Sequence, residues 1–115
     1  NKLTIKFPQI MENFMKQFSH TALIKQVPAC TFNDKFAFLN TTGNPGLATA
    51  GSGDVLAGML GSFISQGFNL SISTRMAAFI HGKSSDLLID EKGYRGQLAS
   101  DLLNIIPIVI SNYEN

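Results

Sequence analysis

A glycine-rich stretch from Asn40 to Gly61 constrains this chain more than any other feature. Six of the ten glycines in the 115-residue sequence lie inside it. Glycine lets the backbone adopt positive φ angles and approach a ligand closely, so a dense cluster of glycines usually marks a loop shaped for binding. After Asp54, apolar residues recur at helical spacing, at Val55, Leu56, Met59, Leu60, Phe63 and Ile64. We therefore predict that Gly51-Ser52-Gly53 turns the chain into a helix.

The start of that helix is predicted to bind an anion. The first backbone amides of a helix have no partner within it, and the helix dipole favours negative charge there. The amides of Gly51-Ser52-Gly53 would then face a phosphate group, with the carboxylate of Asp54 beside it. A phosphate cradle next to a carboxylate suits a group-transfer reaction. The alternative is that Asp54 only supports the helix, because small acidic residues are common in a first turn.

A longer string around this segment resembles a known family signature. Residues 43–58, Gly-Asn-Pro-Gly-Leu-Ala-Thr-Ala-Gly-Ser-Gly-Asp-Val-Leu-Ala-Gly, are similar to the signature of the ADP/ATP-dependent NAD(P)H-hydrate dehydratases. That family belongs to the ribokinase-like superfamily, whose members share Gly-x-Gly-Asp at this point. Weaker similarity continues towards the C-terminus, through Ala77-Ala78, His81-Gly82, Gly96, Ala99-Ser100-Asp101-Leu102 and Pro107.

The resemblance implies both a fold and an activity. The fold would be α/β, the C-terminal half of a ribokinase-like three-layer α/β/α sandwich, and residues 1–115 would form a single partial domain. The activity would be that of a lyase that converts NAD(P)H hydrate to NAD(P)H. ADP or ATP would phosphorylate the ring hydroxyl, which would then leave as phosphate, and Mg²⁺ would bridge the phosphates of the nucleotide.

The resemblance also implies roles for individual residues. Asp54 is expected to remove the proton of the substrate hydroxyl, and Asn44 and Asp54 are expected to contact the substrate. Lys25 and the segment Gly51-Ser52-Gly53 are expected to bind the nucleotide. No residue is assigned to a metal, because His81 has no second ligand at metal-binding spacing.

Lys25 and His81 match the family in residue type, whereas two neighbours of Lys25 do not. In the family, a strand ends in a lysine followed by glycine, and here Gln26 replaces the glycine. Ala29 stands where threonine is common. The alternative for Lys25 is a solvated lysine at the end of a strand. His81 is expected to pack near the adenine pocket and not to transfer a proton.

Apolar periodicity and turn residues predict the order of the elements. In sequence they are an amphipathic helix over 7–18, a strand over 21–26, a β-hairpin over 29–39, the helix after Asp54 ending at Gly67, a linker over 69–73, a helix capped by Ser73, a loop over 90–96 and a helix over 102–113. Ser100 or Asp101 is expected to cap the last helix. Pro107 is expected to kink that helix or to interrupt its hydrogen bonding.

Composition excludes several classes of protein and partner. With 44% hydrophobic and 15% charged residues, the chain is globular and not disordered. The net charge of +1, with scattered basic residues, argues against a nucleic-acid partner. The single cysteine, Cys30, excludes an internal disulfide. No apolar run approaches about 20 residues, so we expect no membrane partner and a cytoplasmic location. The expected partners are the remainder of the same domain or polypeptide and further copies in a homo-oligomer.

Two other functions remain open at this point. One is a small-molecule kinase of the same fold, acting on a sugar or a vitamin precursor, because these kinases share Gly-x-Gly-Asp. The upstream Gly-Asn-Pro-Gly-x-Ala-Thr is the dehydratase form and favours the lyase. The other is an inactive fragment or nucleotide-binding module, because the family's first glycine-rich loop and its His-Pro-Gly-Glu-like element are absent from these residues.

Overall fold

The computed structural model describes residues 9–10, 13, 20–26, 28–33 and 35–114. In these residues a three-stranded sheet is followed by three α-helices. The elements are β1 (Ala22–Ile24), β2 (Cys30–Phe32), β3 (Ala37–Leu39), a 3-10 turn (Pro45–Leu47), α1 (Ser52–Ser65), α2 (Leu70–Lys92) and α3 (Ala99–Ser111). The helix predicted over 7–18 falls largely outside the described residues.

The sheet is antiparallel throughout, in the order β1-β2-β3. The predicted hairpin is confirmed, with Thr31 opposite Phe38. Asn33 closes it, because its Oδ1 accepts from the backbone N–H of Phe36 at 2.7 Å and its own N–H donates to the Phe36 carbonyl at 2.9 Å. The strand predicted over 21–26 covers only Ala22–Ile24, so Lys25 lies just beyond its end.

Both ends of α1 follow from glycines. Gly51 precedes the helix with φ +87°, a left-handed conformation that few other residues adopt. At the other end, Gly67 has φ +99° and donates to the Ile64 carbonyl at 3.0 Å. The N–H of Phe68 donates to Phe63 at 3.3 Å, which completes a Schellman motif. The predicted start and end of this helix are confirmed.

The second helix begins earlier than predicted. α2 starts at Leu70, so the predicted linker over 69–73 is wrong. Asn69 caps the helix, because its Oδ1 accepts from the N–H of Ile72 at 2.8 Å. Ser73, predicted as the cap, lies buried in the first turn, and its hydroxyl donates to the Phe68 carbonyl at 3.2 Å. Asn69 and Ser73 are both able to cap a helix, and Asn69, the earlier of the two, accepts from the free N–H of Ile72.

The second helix also ends later than predicted. α2 continues to Lys92, so the loop predicted over 90–96 is wrong at its start. Gly93 ends the helix with φ +67°, and its N–H donates to the Ile89 carbonyl at 2.8 Å. The last helical turn is charged and exposed, and such a turn is as compatible with a solvated helix face as with a loop.

The third helix starts at Ala99, three residues before the predicted position. Its N-cap is Leu98, so the prediction that Ser100 or Asp101 is the cap residue is wrong. Asp101 supports the start from inside the helix, because its Oδ2 accepts from the N–H of Leu98 at 2.9 Å. Pro107 cannot donate a backbone hydrogen bond, yet the helix continues through it to Ser111.

The three helices enclose the apolar core and thereby fix the start of α1 beside the middle of α2. Its buried members are Ile80, Leu88, Leu102, Ile106 and Val109. Val55 and Met59 of α1 pack against this cluster, so the first turn of α1 is held close to α2. Within the part of the chain that is described, none of the helices combines the length and apolar character needed to cross a bilayer.

Candidate active site

A cavity of about 600 Å³ lies where the end of β1, the glycine-rich loop (residues 40–51, between β3 and α1), the start of α1 and the middle of α2 meet. Its walls bring together most of the residues singled out from the sequence: Lys25, Gly51, Ser52, Gly53, Asp54 and His81. Asn44 does not line this cavity. Residues from opposite halves of the chain therefore converge on one site.

The first turn of α1 offers two free backbone amides to this cavity. The N–H of Ser52 donates to the Thr49 carbonyl at 3.2 Å, and the N–H of Val55 donates to Gly51 at 3.2 Å. Between them, the amides of Gly53 and Asp54 have no hydrogen-bond partner among the described residues. Free amides at a helix start bind anions, and the helix dipole adds to that preference.

The ammonium group of Lys25 lies directly over Gly53. A Cβ atom at Gly53 would collide with Lys25 Nζ, so the absence of a side chain lets the ammonium approach the helix start. Lys25 is exposed and forms no ion pair with any residue that the structure describes. Two free amides and an uncompensated cation thus surround the same space, which is an arrangement suited to a phosphate group.

Asp54 presents an exposed carboxylate at the edge of the cavity. It occupies the third position of α1, where a carboxylate can reach back to the helix start, but it accepts no hydrogen bond from a described residue. Its support of the helix is therefore limited to its interaction with the dipole. The carboxylate is open to accept a proton from a ligand in the cavity.

Ser52 joins the loop to the helix. Its hydroxyl donates to the Leu47 carbonyl at 2.6 Å, and its amide is already bound to Thr49. Both polar hydrogens of Ser52 are therefore occupied within the protein. A contact of Ser52 with a nucleotide stays a prediction. The two internal hydrogen bonds argue against it, because they leave Ser52 without a free donor.

Asn44 is a buried residue of the glycine-rich loop, 6% exposed. Its Oδ1 accepts from the N–H of Gly46 at 2.8 Å, and its Nδ2 donates to Oδ1 of Asp86 at 2.8 Å. Both ends of the side-chain amide thus serve the loop. A substrate contact of Asn44 stays a prediction, and Asp86 is a residue that sequence reasoning missed.

His81 holds the first residue of α1 from the middle of α2. Its Nε2 lies 2.9 Å from the Ser52 carbonyl, and because a carbonyl can only accept, Nε2 carries the proton. Burial lowers the pKa of His81 from its usual 6.5, the bond to Ser52 opposes this, and the charge of Lys25 lowers it further. His81 is therefore a buried, neutral residue in contact with the site, and its packing near an adenine pocket stays a prediction.

Gly82 allows the glycine-rich loop to cross α2 in direct contact. A Cβ atom at Gly82 would lie 2.7 Å from the backbone oxygen of Thr42. The loop is fastened at this crossing, because the Thr42 hydroxyl donates to the Phe79 carbonyl at 2.7 Å and Asn40 Nδ2 donates to the Ala78 carbonyl at 3.0 Å. The His81-Gly82 pair thus has a physical reason: one residue anchors α1 and the other admits the loop.

Among the described residues, no three of His, Cys, Asp or Glu come together closely enough to hold a metal ion by themselves. The site therefore consists of backbone amides, one ammonium, one carboxylate and a buried imidazole. Such a set can bind a phosphate group and accept a proton beside it.

The chain is similar to proteins of known family. Residues 6–108 match the family model described as NAD(P)H-hydrate dehydratase. The bifunctional NAD(P)H-hydrate repair enzyme of Moorella thermoacetica is 34% identical over 107 residues, which cover 92% of this chain and 20% of that relative. The chain thus spans about a fifth of the length of this relative.

Solved structures share the fold. The ADP/ATP-dependent NAD(P)H-hydrate dehydratase of Bacillus subtilis, crystallised with ATP and Mg²⁺, matches with a TM-score of 0.89 at 26% identity, covering 97% of this chain and 41% of that protein. A ribokinase-like superfamily protein of Enterococcus faecalis matches with a TM-score of 0.78 at 29% identity, covering 90% of this chain and 36% of that protein. The α/β fold class predicted from the sequence is confirmed.

Proposed function

The chain belongs to the NAD(P)H-hydrate dehydratase family, and from this membership and the geometry of its cavity we propose that it takes part in the nucleotide-dependent dehydration of NAD(P)H hydrate. The reaction is that of a lyase and restores NADH or NADPH from a damaged form. The observation that carries the proposal is the Asp54 carboxylate, which accepts no hydrogen bond from a described residue and lies beside the free amides of Gly53 and Asp54.

The cavity suits a nucleotide in size and in charge. Its volume of about 600 Å³ falls within the range of about 300–1,000 Å³ that is typical of small-molecule sites. The amides of Gly53 and Asp54 and the ammonium of Lys25 would surround the terminal phosphate. We take ADP or ATP as the donor.

In the first step, Asp54 accepts the proton of the ring hydroxyl while the hydroxyl oxygen attacks the terminal phosphorus of the nucleotide. The bond from that phosphorus to its bridging oxygen breaks, and the shortened nucleotide leaves. The amides of Gly53 and Asp54 and the ammonium of Lys25 stabilise the charge that develops on the phosphoryl oxygens.

In the second step, the ring carbon–oxygen bond breaks and phosphate leaves with the electron pair. The neighbouring ring carbon then gives a proton to the departing phosphate, and the carbon–carbon double bond of the reduced nicotinamide returns. Hydroxide is a poor leaving group and phosphate a good one, so the nucleotide supplies the driving force for loss of the hydroxyl.

Mg²⁺ would neutralise the phosphate charge of the nucleotide. It commonly binds through one or two protein carboxylates together with phosphate oxygens and water, so it does not need a cluster of protein ligands. Asp54 is the carboxylate in the described walls of the cavity, and because it is needed as the proton acceptor, phosphate oxygens and water would be the main ligands of the ion. A homo-oligomer, a cytoplasmic location and the participation of the remaining polypeptide stay predictions.

The experiment that tests the proposal offers the complete protein the hydrates of NADH and NADPH with ADP, ATP or no nucleotide. Recovery of the nicotinamide absorbance that depends on a nucleotide supports the lyase. A parallel panel of sugars and vitamin-precursor alcohols with ATP tests the kinase. Phosphorylation of a panel alcohol with no turnover of either hydrate would contradict the proposal.

A further inference from the structure

The glycine-rich loop is bound to α2 through the carboxylate of Asp86. Asp86 Oδ2 accepts from the N–H of Gly43 at 3.0 Å, and its Oδ1 accepts from Asn44 Nδ2 at 2.8 Å. Asn44 then uses its oxygen to accept from the N–H of Gly46 at 2.8 Å. The path of the loop from Gly43 to Gly46 therefore depends on two side chains.

Only one arrangement of these two side chains satisfies every group. A carboxylate accepts and cannot donate, so Asn44 must present its NH₂ to Asp86 and its oxygen to Gly46. Asn44 is almost fully buried, and reversing its amide would place two donors against each other at Gly46 and two acceptors against each other at Asp86. An unsatisfied buried polar group is unfavourable, so the carboxylate of Asp86 fixes the orientation of Asn44.

The loop is confined from its other side by Gln97, which is 3% exposed. Gln97 is fixed by Ser85, the neighbour of Asp86 in α2, whose hydroxyl donates to Gln97 Oε1. A Cβ atom at Gly46 would lie 2.6 Å from Gln97 Nε2. Gly46 is packed between Asn44 and Gln97. As long as Asp86 holds Asn44 in place, this packing leaves the loop little room to move.

The fixed loop leads directly into the cavity. Gly43 and Leu47 line it, and the hydroxyl of Ser52 at the start of α1 donates to the Leu47 carbonyl. A shift of the loop is therefore passed to the turn that carries the free amides and Asp54. Asp86 and Asn44 do not line the cavity, so any effect of theirs acts through the loop.

We propose that Asp86 is a positioning residue for the reaction, acting through Asn44 and Gly43 to hold the glycine-rich loop against the start of α1. The inference rests on the proposed function, and it gives Asn44 a positioning role in place of a substrate contact. Small displacements of catalytic groups lower rates strongly, so loss of this pair lowers turnover in protein that is still folded.

Exchanging the two residues tests the pair in the complete protein. Asn44→Asp places two carboxylates together, and Asp86→Asn removes the group that orients Asn44. The double variant restores all three bonds with the roles of positions 44 and 86 exchanged. The carboxylate at position 44 accepts from the N–H of Gly46 and from the side-chain NH₂ at position 86, whose oxygen accepts from the N–H of Gly43. We expect each single variant to lose about tenfold to a hundredfold in kcat/KM for the hydrate, and the double variant to recover most of that loss.

The matched control is Asp90→Asn, which makes the same change of charge at an exposed position of the same helix. It should leave kcat/KM unchanged. All rates are compared at a temperature at which circular dichroism shows every variant to be folded. Wild-type kcat/KM in both folded single variants, or a double variant no better than the worse single variant, would overturn the positioning role.

A failure of the proposed function would look different. If the wild-type protein turns over neither hydrate, the proposed function is wrong, and the exchange is then scored by the affinity for ADP in calorimetry. The same pattern is expected there, a loss in each single variant and recovery in the double variant. ADP affinity that is equal in all four proteins would overturn the inference about Asp86.

Discussion

Asp54 and Asp101 occupy the same position, the third, of their helices, but they are used differently. Asp101 accepts a hydrogen bond from the N–H of Leu98, whereas the carboxylate of Asp54 has no such bond within the described residues. The residue before α1 is Gly51, which has no side chain to cap the helix. Asp54 is therefore the acid of the pair that is free for chemistry, and the helix depends on it only through the dipole.

The first prediction concerns the exchange Asp54→Asn. It keeps the size of the side chain but removes the proton acceptor, so turnover of the hydrate should fall on the order of a hundredfold or more. ADP affinity and the melting temperature should change little. Asp101→Asn makes the same change at the same helix position away from the cavity, and its turnover should stay at the wild-type level. Equal turnover in both variants would contradict the catalytic role.

The second prediction concerns His81 and pH. Burial lowers the pKa of His81, while in the unfolded chain it titrates near its usual 6.5. Below about pH 6.5 the unfolded state therefore binds more protons than the folded state. The stability that neutral His81 contributes is fully present above pH 6.5 and is lost as the pH falls from there towards the lowered pKa of the folded state. His81→Gln can still donate to the Ser52 carbonyl but does not titrate.

Urea unfolding at pH values on either side of 6.5 tests this prediction. The loss of stability on acidification should be smaller in His81→Gln than in the wild-type protein. An identical loss in both would show that His81 does not keep its neutral form in the fold.

At the scale of the elements, α2 organises the site. His81 anchors the start of α1, Gly82 admits the loop, and Asp86 fixes the loop from behind. These three residues lie within six positions of each other, so less than two turns of one helix contact both the glycine-rich loop and the start of α1.

The third prediction concerns Gly82→Ala. The added Cβ would meet the backbone carbonyl of Thr42, and backbone atoms cannot move aside as a flexible side chain can. We expect a loss of about 1–3 kcal/mol in the free energy of unfolding together with weaker ADP binding. Gly61→Ala in α1 is the control, because nothing lies within 4 Å of its added Cβ. It should stabilise the protein by about 0.5–1 kcal/mol through helix propensity alone. Stabilisation by both variants would contradict the close crossing.

Local signals account for the elements that were predicted correctly. Gly51, Gly67 and Asn33 each act within a few residues of their own position, and the start of α1, its end and the hairpin were predicted from them. The predicted start of α2 was wrong because Asn69 and Ser73 can both cap a helix, and in the structure Asn69 accepts from the N–H of Ile72 while the Ser73 hydroxyl donates to the Phe68 carbonyl.

The site shows the same distinction. Its glycine-rich loop and Asp54 were visible in the sequence as a continuous string, and the resemblance supplied Lys25. The partner of Asn44 was not visible, because Asp86 lies 42 residues further along the chain and has no local pattern to mark it. His81 was noticed, but its bond to Ser52 spans 29 residues and depends on how α1 packs against α2.

At the scale of the whole molecule, large apolar side chains remain exposed. Phe36 and Leu39 in the region of β3 are 60% and 69% exposed, and Leu103 and Ile108 of α3 are 59% and 58% exposed. Extended apolar surfaces on a soluble domain usually mark a contact with another surface. We propose that residues 1–115 are one part of a larger domain, and that the remainder of this domain covers the exposed side chains.

The fourth prediction follows from that exposure. Residues 1–115 prepared by themselves should bind a hydrophobic dye and self-associate, whereas a longer polypeptide that includes the remainder of the domain should do neither. Analytical ultracentrifugation and dye fluorescence measure this. A monomer of these residues that unfolds cooperatively without binding the dye would contradict the proposal of a partial domain.

If the cavity couples phosphoryl transfer to dehydration through the ring hydroxyl, the oxygen of that hydroxyl must leave in the phosphate. NADH hydrate carrying a heavy-oxygen label in its hydroxyl is turned over by the complete protein with ADP or ATP, and the inorganic phosphate is analysed by mass spectrometry. One labelled oxygen is expected in each phosphate released. Label in the water, with none in the phosphate, would show that the hydroxyl leaves without being phosphorylated and would contradict the proposed mechanism.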